Sequence, residues 1–130
     1  MNIEVFALCD AATDSQGKLN MLGAFDTIFA AGLPTVHPQF AVVLRLRLKR
    51  IEKGRHKLAL HIVDDDGKHV VQPIEGGFEV NFASGDTATG AINAVFNIHN
   101  VKLEKYGEYA VNLAIDGRQE ASLPLYVKQA

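Results

Sequence analysis

The stretch FAVVLRLRLK, residues 40–49, alternates in a way that limits the fold more than any other feature of the chain. A period of two puts Val42, Leu44, Leu46 and Leu48 on one side of an extended strand. Val43, Arg45, Arg47 and Lys49 then point to the other side, whereas a helical period of 3.6 would scatter both sets. The same period returns in Leu58, Leu60 and Ile62, in Phe78, Val80 and Phe82, and in Ile92, Ala94, Phe96 and Ile98. It returns once more in Tyr109, Val111, Leu113 and Ile115, and each run is bounded by Gly, Asp, Asn or Pro, as strands are. Only VKLEKYG, residues 101–107, could make a helical turn. The expectation is an all-β chain: a single antiparallel β-sandwich of eight or nine strands over residues 1–130, Ig-like or C2-like in connectivity.

Turn chemistry adds detail. DSQGK (14–18) and DDDGK (64–68) share the pattern Asp-x-x-Gly-Lys. Both suit a three-residue hairpin loop with a left-handed glycine, flanked by an Asp–Lys pair. At Asp116-Gly117 a three-residue loop over 116–118 pairs Tyr109 with Leu125, Val111 with Leu123 and Leu113 with Ala121. A two-residue loop would mix core and surface, so the longer one is expected. LEKYGEY (103–109) fits a tyrosine corner, in which the hydroxyl of Tyr109 returns to the main chain. LPTVHPQ (33–39) reads as a loop, Gly76-Gly77 and Ser84-Gly85 as loop glycines, and Pro124 as a marker of an edge strand.

Composition narrows the function classes. With 48% hydrophobic and 22% charged residues, the chain suits a folded globular domain. No apolar run approaches the ~20 residues of a membrane-spanning helix, and MNIEVFALC lacks the basic and apolar regions of a lipid-anchor signal. A net charge of −2 gives no broad attraction to nucleic acid or anionic membranes. One cysteine excludes an intrachain disulfide, and a cytoplasmic location is expected.

The phrases LCDAA, GKLN and LGAFD, within LCDAATDSQGKLNMLGAFDTI (8–28), followed by LPTVHP and an alternating strand, resemble an uncharacterised bacterial family of about this length. Its members are small all-β proteins recorded as a domain of unknown function. The resemblance covers the whole chain and implies one domain, with no activity, cofactor or site residues to carry over.

The chemistry-bearing residues are then weighed one cluster at a time. Pairing 9 with 23 and 7 with 25 puts Cys9 on an apolar face, where a thiol is a small hydrophobe, and turns Asp10 to the opposite face. Asp10 and Asp26 share that second face but stand about 13 Å apart along the strand, beyond the reach of paired-carboxylate catalysis. Phe6, Leu8, Leu22 and Ile28 lie beside them, so Phe6, Leu8, Asp10, Leu22 and Asp26 form a candidate interface, partly covered by a loop or another subunit. His61 and His69 are expected as diagonal neighbours, with His99 on another strand, but nothing supplies the ligand spacing of a structural zinc site. Asp64, Asp65 and Asp66 offer too few converging oxygens for calcium. Arg45, Arg47 and Lys49 form a basic row, a candidate anion contact with no interleaved aromatics for nucleic-acid stacking.

No catalytic group, cofactor or metal site is expected. The reading is a non-catalytic interaction or structural module that has a protein partner or associates with itself through a sheet face. The alternative is a sandwich that binds an anion, calcium or carbohydrate through Arg45, Arg47 and the 64–66 aspartates.

Overall fold

The computed structural model describes residues 1–83, 85 and 87–130. Among these residues the alternating segments form strands β1 (Asn2–Ser15), β2 (Lys18–Phe25), β3 (Thr27–Ala30), β4 (Thr35–Lys49) and β5 (Gly54–Val63). They continue as β6 (Ile74–Val80), β7 (Thr89–Leu103), β8 (Gly107–Ile115) and β9 (Arg118–Gln129). One sheet runs β2-β1-β4-β7, and the other, which curls into a half-barrel, runs β3-β9-β8-β5-β6. Among the described residues the only helix is a 3-10 turn, Arg50–Glu52, and VKLEKYG is extended through Leu103 before it turns a corner.

The period of two explains the core. Val42, Leu44, Leu46 and Leu48 of β4 meet Leu58, Leu60 and Ile62 of β5, and Tyr109, Val111, Leu113 and Ile115 of β8 join them in one buried cluster. At ~25 cal/mol per Å² of apolar area removed from water, this shared layer is the main stabilising term of the fold. Tyr109 is buried, and its hydroxyl donates to the Lys105 carbonyl at 2.7 Å, so the expected tyrosine corner is present.

Several local readings are corrected. The first hairpin turns on two residues, because Gln16 and Gly17 both take positive φ (53° and 77°), as a type I′ turn requires. Ser15 therefore pairs with Lys18, and Cys9 pairs with Ala24 rather than Gly23. DDDGK does make the three-residue loop: Val63 bridges to His69, and Gly67 has φ 81°. The last hairpin combines both of its options. Its tip is the two-residue Asp116-Gly117, and a bulge between Leu113 and Ala114 restores the pairing of Leu113 with Ala121.

The chain is also not wholly antiparallel. β3, which the sequence did not reveal, runs parallel to β9, from Thr27 beside Tyr126 to Ala30 beside Gln129. Four residues without a clear alternation are too few to read as a strand. β9 is thus interior to its sheet; Pro124 escapes conflict because β3 pairs only from Tyr126 onward. Thr35–Pro38, expected as loop, already belongs to β4, and Gly76-Gly77 lie within β6. Ser84 falls outside the described residues.

A second, smaller core lies on the far side of the four-stranded sheet. Cys9, Ala41 and Val43 are fully buried there, with Ala12, Leu19, Val5 and Val95 packed against them. What covers them is the β1–β2 hairpin, folded across the sheet. Asn93, on β7, donates its side-chain amide to the Gly17 carbonyl at the hairpin tip at 3.0 Å, so the hairpin spans β4. The β1–β2 ladder is interrupted at Asp10 and Gly23, where Gly23 has φ 71°. A side chain at Gly23 would collide with the Asp10 carboxylate as well as strain the backbone.

Candidate functional site

Three polar clusters and one set of exposed apolar residues are the places where function could reside. The first cluster is built on the outward face of β4. Arg45 donates from Nε to Glu4 Oε1 at 2.9 Å and from Nη1 to Asn93 Oδ1 at 2.8 Å. Arg47 donates from Nε to Glu4 Oε2 at 3.0 Å and from Nη2 to Glu4 Oε1 at 3.1 Å. Glu4 thus sits between two guanidinium groups, and the Arg47 guanidinium above all holds its carboxyl below the usual range. The expected basic row is therefore neutralised in part by a residue on the neighbouring strand. Lys49 stands apart from this pairing, exposed at the end of β4. Nothing in the sequence indicated Glu4, because it reaches the arginines only through the β1–β4 register.

The second cluster surrounds the DDDGK turn. Asp64 Oδ1 accepts the main-chain N–H groups of Asp66 and Lys68, both at 2.9 Å, which shapes the loop and lowers the Asp64 pKa. The three aspartates are close enough to hold a cation jointly. Lys105, arriving from the β7–β8 corner, puts its ammonium among them, 2.6 Å from Asp65 Oδ1 and 3.0 Å from Asp66 Oδ2. These contacts raise the Lys105 pKa. The chain's own cation takes the place that a metal ion would need, and the flanking Asp64–Lys68 ion pair expected from the sequence gives way to Lys105.

His56 forms the third cluster. Its Nδ1 lies 2.7 Å from Asp116 Oδ2 and its Nε2 lies 2.6 Å from the Glu52 carbonyl, while the ring stacks on Phe78 at 5.3 Å. Both neighbours are acceptors, so only the doubly protonated imidazolium satisfies them together. Asp116 and the Glu52 carbonyl accordingly raise the His56 pKa, and His56 lowers that of Asp116. A ring engaged at both nitrogens is a clamp between β5, the 3-10 turn and the β8–β9 turn, and not a general base.

The clamp makes stability depend on pH in a stated direction. The His56 contribution is complete below its unfolded value near 6.5 and fades as pH rises through the raised folded value. The Asp116 contribution is present above about 3.8 and fades as pH falls through its lowered folded value. The melting temperature of His56→Gln should therefore lie furthest below wild type between those limits, and the gap should narrow as pH rises further. A constant gap across a thermal-melt pH series would show that the clamp carries no charge.

The expected interface does not form one surface. Phe6 and Leu8 belong to the core shared by the two sheets, because the register shift between Ile3 and Val5 turns them inward while Glu4 stays outside. Leu22 is 72% exposed on the hairpin, Asp10 lies over Gly23, and Asp26 accepts a bond from Thr27 Oγ1 at 2.7 Å where the chain crosses between sheets. His61 and His69 are neighbours as expected, with ring centroids 5.3 Å apart. His99 is on the other sheet, opposite Gln39, and does not join them. The thiol of Cys9 donates to the Ala11 carbonyl, and burial pushes its pKa up, opposite to the shift a nucleophile needs.

Among the described residues, no helix is long and apolar enough to cross a membrane. No curated protein matches the chain. A family model described as a family of unknown function, DUF6941, matches residues 4–128. That match takes in the strands of both sheets, the roofing hairpin and all three polar clusters, and the chain therefore belongs to the DUF6941 family.

Proposed function

We propose that the chain works as a non-catalytic interaction module, a β-sandwich that presents strand surface to another protein chain. The observation that carries this reading is how the reactive side chains are used. Arg45 and Arg47 are tied to Glu4, the 64–66 aspartates to Lys105, and His56 to Asp116 and Glu52. Each cluster closes on itself, while Leu22, Phe29, Val36 and Ile51 stand exposed as apolar surface. These same closures weigh against an anion- or calcium-binding role for the residues concerned.

We read the connectivity as Ig-like, in support of this proposal. The orders β1-β4-β7 and β9-β8-β5-β6 match the A-B-E and G-F-C-C′ order of immunoglobulin-type sandwiches, and the tyrosine corner falls at the β7–β8 passage, where such folds carry it. Extracts of cells that produce the protein should show it eluting in a complex of defined mass, well above its own 14.1 kDa. Elution at the monomer mass under gentle conditions would count decisively against an interaction module.

A further inference from the structure

Every open sheet has two edges, and a folded protein ordinarily shields them with charge, brevity, kinks or cover. Three of the four edge strands here are shielded. β6 is seven residues long and carries Glu75 and Glu79; β3 has four residues; β2 begins at Lys18 and is broken by the left-handed Gly23. β7 is different. It is 15 residues long, and from Thr89 to Val101 it contains no Asp, Glu, Lys or Arg. Its pairing with β4 runs from Gln39–His99 to Lys49–Thr89 without a register shift, so the strand is regular over residues 89–99 and departs from that only at Asn100, whose φ is 55°. Among the described residues β4 is its only strand partner, and its other edge is unpaired.

The middle of this strand reads Ile92-Asn93-Ala94-Val95-Phe96-Asn97-Ile98, which is nearly the same in either direction. Antiparallel pairing of two copies about a two-fold axis at Val95 would set Ile92 against Ile98, Asn93 against Asn97, and Val95 against itself. Small Ala94 would face large Phe96. Apolar meets apolar on the inner face, and on the outer face Asn97 lies opposite an Asn93 whose amide is already bonded to Arg45 and Gly17; no like charges oppose each other. Ile92, Ala94 and Phe96 are only partly buried in the single chain, so the added strand would also cover them. We propose that β7 pairs with β7 of a second copy of this chain, joining two four-stranded sheets into one of eight strands. This names the partner for the interaction-module reading and rests on it.

The purified wild-type chain should have twice its 14.1 kDa mass in sedimentation or light scattering at high micromolar concentration. Asn97→Lys, at an exposed position, should give a folded monomer whose melting temperature no longer depends on concentration, while Leu22→Lys on β2 should leave the dimer intact. If Asn97→Lys fails to fold, register decides. Val95→Cys should form a disulfide-linked dimer under mild oxidation, because directly opposed strand residues have the Cα spacing a disulfide needs, and Ala91→Cys should not. A monomeric wild type overturns the self-pairing. If such a chain still travels in a complex in cell extracts, the interaction-module reading survives with a different partner. A dimer untouched by Asn97→Lys, or cross-linked through position 91 and not 95, also overturns the assignment to β7.

Discussion

Phe40→Ala should lower the unfolding free energy by about 3–5 kcal/mol, the cost of removing a fully buried aromatic ring. Phe40 has no exposed surface, and it sits where β4 enters the shared core. Its ring meets Phe25 edge-on at 6.0 Å and lies 5.9 Å from His37, so truncation removes both the buried area and favourable aromatic geometry. Phe25 is the last residue of β2, just before the chain crosses from one sheet to the other at Asp26. The loss should therefore loosen that crossing as well as the core. Denaturant unfolding with an unchanged slope, and a midpoint lowered to match, would confirm it; a loss below about 1 kcal/mol would mean the site collapses to fill the cavity.

Val43→Asp is the second large effect, and it separates two pictures of the four-stranded sheet. If the face carrying Val43 met solvent, a carboxylate there would be close to neutral, as surface substitutions usually are, within about 0.5 kcal/mol. Val43 is fully buried beneath the hairpin, beside Cys9 and Ala41. A charge placed there must lose its hydration without a built partner, which costs about 3 kcal/mol or more, or else the hairpin must lift. The introduced carboxyl would have a raised pKa in that setting, so its penalty should grow as pH rises through that value. The measurement is urea unfolding at two pH values, together with hydrogen exchange of residues 11–22. Wild-type stability at neutral pH would mean that the hairpin does not close over the sheet.

How far the sequence showed all this depends on whether a feature is written in one strand or between two. Alternation within β4, β5, β7 and β8 is local, and it identified the inward residues of each correctly. The tyrosine corner was legible because Leu103, Gly107 and Tyr109 lie within seven residues of one another. The first hairpin was misread by one residue, because DSQGK is compatible with either a two- or a three-residue loop. Only the left-handed conformation of Gln16 decides between them. That single step reverses which side chains meet, and with it went the grouping of Phe6 and Leu8 with Leu22. Glu4 with Arg45 and Arg47, and Lys105 with Asp64–Asp66, join segments about 40 residues apart, and no local pattern encodes such meetings. The roof over Cys9 was hidden for the same reason: its closing contact is between Gly17 and Asn93.

That roof also makes the protein its own reporter. Cys9 is the only thiol in the chain, is shut off from solvent, and is covered by one hairpin rather than by the whole fold. A thiol reagent can reach it when the hairpin lifts, without the main core having to open. The modification rate under native conditions therefore measures the free energy of that local opening, and its dependence on denaturant tells how much surface the opening uncovers. Set beside the global unfolding free energy, the two numbers would say whether the hairpin and the two sheets melt as one cooperative unit or in succession.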